Sequence, residues 1–172
     1  MSTQNFLLDL AKKCFTAGII GLAISDNIAS FMAVRGSSMS PTLNPHSNSS
    51  TGFALDDYVL VQKQNFEDYK VRDVVVFRSP SKYKEKNVRR IAGLPGDSIN
   101  LPSHDTVTVP HGHCFVIGDN SACSLDSRSS GLIPLGLLCG CVTHIIWPPQ
   151  RIGEVNSRTN TTLPAVQVHA SE

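Results

Sequence analysis

Between Cys14 and Val34 the chain is almost uniformly apolar, and from Tyr58 onward it breaks into short apolar runs divided by turn-forming residues. The first stretch is interrupted by Ser25, Asp26, Asn27 and Ser30. As a helix rising about 1.5 Å per residue it reaches roughly 31 Å, close to the thickness of a bilayer core. Three readings are open: a cleaved signal peptide, a soluble helix packed on the domain, or a single membrane anchor. A carboxylate at the centre of a span costs about 2.5–3.5 kcal/mol on insertion, so an anchor places Asp26 and Asn27 near its far end or against a partner helix. The anchor is the favoured reading, and Lys12-Lys13 then hold the N-terminus on the cytoplasm-like side.

The later runs have strand lengths. Tyr58–Lys63 is rich in β-branched and aromatic residues, and Val74–Phe77 is a continuous apolar run of the kind found in buried strands. Val88–Ala92 is stopped by Gly93-Leu94-Pro95-Gly96-Asp97. Thr106–Val109 and Cys114–Ile117 flank Pro110-His111-Gly112, and a last run, Cys141–Trp147, ends at Pro148-Pro149. This spacing predicts a mainly β fold, an antiparallel sheet or partial barrel, with one N-terminal apolar helix. The expected boundaries are an N-terminal segment at 1–13, the anchor helix at 14–34, a β domain at 35–152 and a frayed polar tail at 153–172.

At 172 residues the chain is long enough for one domain with a real core. A net charge of +1 argues against a nucleic-acid partner, and 41% hydrophobic residues exclude a core-poor disordered chain. The five cysteines leave at least one unpaired within a monomer. They form no pair of C-x-x-C motifs, and the histidines show no ligand spacing, so neither a metal nor a cofactor is expected.

Candidate chemistry begins at Gly36-Ser37-Ser38-Met39-Ser40-Pro41-Thr42-Leu43-Asn44-Pro45. Serine, proline and glycine gather in turns for backbone reasons alone. The alternative is a nucleophilic hydroxyl, which needs a base elsewhere in the chain to take its proton.

Three further stretches join that one: Asp73-Val74-Val75-Val76-Phe77, Arg89-Arg90-Ile91-Ala92-Gly93-Leu94-Pro95-Gly96-Asp97, and Gly118-Asp119-Asn120 through Ser124-Leu125-Asp126-Ser127-Arg128. In this order, behind one N-terminal apolar segment, they resemble the type I signal peptidases, over roughly residues 10 to 152. Arg35-Gly36 and Trp147-Pro148-Pro149-Gln150-Arg151 fit the mitochondrial inner membrane branch of that family, of the plant kind.

The resemblance implies an all-β serine peptidase domain at 35–152, tethered by one N-terminal span to the mitochondrial inner membrane and facing the intermembrane space. It implies endoproteolysis of sorting presequences, and a heterodimer with another catalytic subunit. The nucleophile falls on Ser38, whose backbone N–H contributes to the oxyanion hole. Bacterial relatives carry a serine two positions earlier as a further donor, and Gly36 lacks it. The general-base lysine of the family falls on Arg89. Arginine stays protonated and has five donors and no acceptor, so it can position a hydroxyl or an oxyanion but is a poor proton acceptor. Lys84 and Lys86 are near in sequence but out of register. By the same resemblance Ser124 hydrogen-bonds and orients the base, while Asp119, Asp126 and Arg128 support the loop, the last two as an ion pair. Arg89 also opens a second possibility, a weakly active or inactive relative that binds substrate or stabilises the partner catalytic subunit.

Overall fold

The computed structural model describes residues 8–16, 18, 29–45, 56–101, 106–155 and 167–169. The chain divides into two compact units, Met1–Ser30 and Phe31–Glu172. In the first, residues 8–16 form an exposed helix, α1, with a Lys13–Asp9 ion pair one turn apart. Such an exposed pair contributes little.

Among the described residues, no helix is long and apolar enough to cross a membrane. Most of the expected anchor, residues 17 and 19–28, lies outside the described residues. Its far end corrects the sequence reading: Ala29–Ala33 is a strand, β1, and not the end of a helix. A short apolar run has no period that separates helix from strand. Here β1 lies beside β2 (Tyr58–Gln62), and Val34 just after it is buried, with its N–H donating to the Asp57 carbonyl.

The other strands are β3 (Val74–Arg78), β4 (Lys86–Gly93), β5 (Ser98–Asn100), β6 (Thr106–Thr108), β7 (His113–Ile117), β8 (Ile133–Pro134), β9 (Leu138–Trp147), β10 (Gly153–Glu154) and β11 (Gln167–His169). The larger sheet runs β1-β2-β9-β3-β4-β7-β8, with β10 also on β9, and a smaller one runs β11-β5-β6. Every register given for these pairs is antiparallel. The mainly β antiparallel fold therefore stands.

Strand β3 explains why its sequence is unbroken by polar residues. Side chains alternate between faces. Val74 and Val76 enter one cluster with Val59, Val61, Val142 and Ile145, while Val75 and Phe77 enter another with Ile91, Cys114 and Val116. Both faces are covered, so neither tolerates a charge. The register sets Arg89 opposite Val75 and Arg90 opposite Val74, in the interior of the sheet.

The polar tail expected at 153–172 falls largely outside the described residues. Its described parts are ordered: β10 pairs with β9, and β11 pairs with β5. Open sheet edges present unpaired N–H and C=O groups, which recruit backbone whatever its side chains. The short strands β8, β10 and β11 form for that reason, without an apolar run to announce them, while β5 is the central strand of the smaller sheet.

Candidate active site

The segment that carries Ser38 enters at Gly36, whose φ of +86° suits glycine, and coils into a turn with the Leu43 N–H donating to the Met39 carbonyl. Met39 and Leu43, four residues apart, are buried in the first core cluster and fix the turn from below. Asn44 then takes a left-handed φ of +51°, and its side chain closes the segment. Its amide donates to the Val34 carbonyl at 2.6 Å, its Oδ1 accepts the Asp57 N–H at 2.8 Å, and its own N–H donates to Asp57 Oδ2 at 2.8 Å. Arg151 joins from the end of the domain, pairing with Asp57 at 3.3 Å and donating to the Thr42 carbonyl at 2.8 Å.

A second clamp holds the other side. Asn120 donates through its N–H to the Ser38 carbonyl at 3.0 Å and through its amide to the Ser37 carbonyl at 3.1 Å. Asp119 accepts from Thr42 Oγ1 at 2.6 Å and from Arg90 Nε and Nη2 at 2.8 and 2.7 Å. The Arg90–Asp119 pair is almost fully buried, at 4% and 3% side-chain exposure. The Gly118-Asp119-Asn120 turn is thus the tie between the Ser38 segment and β4.

Ser38 and Arg89 meet as the sequence predicts. Arg89 Nη1 donates to Ser38 Oγ at 2.7 Å. The guanidinium is held from behind by backbone carbonyls: Nη1 donates to Val88, and Nε and Nη2 both donate to Leu125, at 3.2 and 2.9 Å. Arg89 is only 7% exposed. Burial lowers its proton affinity, partly offset by the charge of Asp126. A guanidinium starts so far above neutrality that it stays a cation and a pure donor. The pair borders a cleft of about 720 Å³ whose lining includes Arg35, Lys84, Lys86 and Cys123.

Ser124 departs from expectation. Its Oγ is buried, has no hydrogen-bond partner of good geometry, and does not orient Arg89. The carbonyls of Leu125 and Val88 do that instead. The hydroxyl lies against Gly118, where a Cβ would stand 2.1 Å from Ser124 Oγ and 2.7 Å from the Ser38 carbonyl oxygen. The serine can rotate, but the Ser38 backbone cannot yield without moving the turn. Gly118→Ala is therefore expected to cost about 1–3 kcal/mol in thermal unfolding.

The Asp126–Arg128 ion pair is present, with Nε and Nη2 on the two carboxylate oxygens at 2.9 and 2.6 Å. Asp126 also accepts the Gly118 N–H at 3.0 Å and caps the short helix α2 (Ser127–Ser130). Burial raises its pKa, but bonds from Arg128 and Gly118, with the Ser124 hydroxyl close by, outweigh burial and the net shift is down. The folded carboxyl thus ionises more readily than the unfolded one, whose pKa is about 3.9. Its ionised form stabilises the fold above that value, and the contribution fades as pH falls through the lower folded value. Asp126→Asn is expected to lose about 2 kcal/mol at neutral pH and to flatten the acid limb of a stability–pH curve.

Residues 119–120 were legible as a turn, but Thr42, Asn44, Asp57 and Arg90 were not legible as parts of the site. Thr42, Asn44 and Arg90 lie within the motif stretches without a role of their own there, and the signal at Asp57 is a carboxylate immediately before a strand. Burial pushes the Cys114 and Cys141 thiols up to about 12, which removes them as nucleophiles. All five cysteines are free. Among the described residues no group of His, Cys, Asp or Glu is placed to hold a metal ion.

The chain is similar to known proteins. The family model described as signal peptidase, peptidase S26, matches residues 7–109 and 100–147. Mitochondrial inner membrane protease subunit 2 of Mus musculus is 36% identical over 153 residues, covering 82% of this chain and 85% of that one. Subunit 2 of Saccharomyces cerevisiae is 36% identical over 138 residues, covering 77% and 76%. A crystal structure of signal peptidase I from Enterococcus faecalis, 22% identical, aligns with a TM-score of 0.40 over 47% of this chain and 99% of that one. On the extent of the family match and of the two relatives, this chain belongs to the signal peptidase family, peptidase S26.

Proposed function

We propose that the chain is a serine endopeptidase that removes sorting presequences from proteins delivered to the mitochondrial intermembrane space, with Ser38 as nucleophile. The observation that carries this reading is the 2.7 Å bond from Arg89 to Ser38 Oγ at the edge of an open cleft. The relatives named as mitochondrial inner membrane protease subunits support the inner membrane and a multi-subunit complex as the setting; in this reading the domain faces the intermembrane space and the partner is the other catalytic subunit. Attachment falls to the apolar residues ahead of β1.

In the reaction Ser38 Oγ attacks the scissile carbonyl, a C–O bond forms, and the C–N bond breaks as the leaving amine takes a proton from water in the cleft, which returns a hydroxide. Water then hydrolyses the acyl-serine. The Ser38 N–H is one oxyanion donor, and Gly36 offers no hydroxyl beside it. Arg89 stabilises the alkoxide by charge and by the Nη1–H bond, but it does not take the serine proton. That proton goes to hydroxide from solvent in the open cleft. Turnover is therefore expected to rise about tenfold per pH unit from neutral into alkaline solution. Arg89→Lys supplies a base whose pKa burial lowers, and is expected to raise turnover about 10²-fold at neutral pH and to level the profile.

The donor-only chemistry of Arg89 favours a second reading, a relative that binds presequences or stabilises the partner catalytic subunit. Cleavage of a presequence peptide by the parent and by Arg89→Lys, across this pH range, separates the two. A parent that cuts with the rising profile supports the peptidase. An inert parent assigns the chain to the second reading, whether or not lysine restores activity.

A further inference from the structure

We infer that the cleft beside Ser38 is a binding site for a free peptide carboxylate, so that a released presequence stays bound by its new C-terminus and inhibits the next turnover. The origin of that carboxylate rests on the peptidase reading above; the binding itself does not.

The argument starts from charge. Arg35, Lys84, Lys86 and Arg89 border the cleft, Arg35 pairing with Asp56 at 3.9 Å, and among the described residues no aspartate or glutamate lines it. Three of these are exposed, and their contribution is screened by salt. Arg89 is different. Four of its N–H groups make bonds, three of them to backbone carbonyls, so its position is set before any ligand arrives. The fourth bond goes to Ser38 Oγ, a neutral acceptor. A carboxylate is a stronger acceptor for a guanidinium than a hydroxyl is, so it takes that N–H in preference.

Geometry supplies the match. An acyl group on Ser38 has its carbonyl carbon one bond from Oγ, and hydrolysis leaves a carboxylate at that place, within reach of Arg89 Nη1. An uncut peptide presents only a neutral amide there. A lysine serving as base must be neutral before attack and gives an arriving anion no fixed charge. Arginine keeps its charge throughout the working pH range, so the preference for the anion persists into alkaline solution.

The test uses the full chain and fluorescent presequence-derived peptides without acidic side chains, ending in a small residue as the free acid or as the amide. Anisotropy titrations at low salt are expected to give about tenfold tighter binding of the acid, as for one charge-assisted hydrogen bond. The gap should narrow at high salt and in Lys84→Gln/Lys86→Gln, which alters only exposed positions and so does not depend on the buried arginine for folding. Arg89→Met should abolish it. Equal affinities of acid and amide at low salt overturn the inference. Cleavage measured in parallel keeps the two readings apart. A chain that prefers the acid but cuts nothing retains this site and sinks the peptidase, and one that cuts without preference does the reverse.

Discussion

Replacing Ser38 by alanine is expected to lower presequence cleavage by about 10³-fold or more while leaving the fold intact. The first half follows from chemistry. Among the described residues no other side chain offers a nucleophile bonded to Arg89. Cys123 also lines the cleft but makes no bond to it, and the thiols of Cys114 and Cys141 are buried and protonated. The second half follows from how the turn is held. Met39 and Leu43 bury beneath it, Asn44 and Asp57 exchange bonds, and Asn120 binds the Ser37 and Ser38 carbonyls. None of these uses the Ser38 hydroxyl. Arg89 loses one acceptor of four bonds and keeps the carbonyls of Val88 and Leu125. Peptide cleavage together with a thermal melt checks both halves. Cleavage by Ser38→Ala at the parent rate would remove the serine from the mechanism.

Arg90→Met is expected to cost about 3–5 kcal/mol, the range for breaking a buried ion pair from one side. Asp119 would stay nearly fully buried without its cationic partner, with Thr42 as its remaining side-chain donor. For a domain of this size that corresponds to a melting temperature lower by roughly 10–20 °C. The double variant Arg90→Met/Asp119→Leu separates stability from positioning. With both charges gone, much of the stability returns, since apolar replacement of a buried pair is often close to neutral. Thr42 nevertheless loses its tie to the Gly118–Asn120 turn, so cleavage stays depressed after stability recovers. A single Arg90→Met that melts within a degree or two of the parent would show that the pair is not what joins the Ser38 segment to β4.

The sequence determined those features that depend on local pattern and residue chemistry. The covered strand β3 was visible because both its faces need apolar side chains. The strands β2, β4, β7 and β9 were visible because turn residues bound them. The spacing of four motifs carried the family resemblance, and through it the pairing of positions 38 and 89. That Arg89 donates and does not accept follows from the guanidinium alone. The tertiary structure decided what depends on partners distant in the chain. Val75 opposite Arg89 sets that arginine inside the sheet, and the Leu125 and Val88 carbonyls, not Ser124, fix its direction. The Asn44–Asp57 exchange and the Arg90–Asp119–Thr42 tie bridge residues 13 to 77 positions apart, for which neither periodicity nor composition leaves a trace. The end of the apolar segment became strand β1, and parts of the polar tail became strands, because open sheet edges select backbone hydrogen bonds over side-chain character.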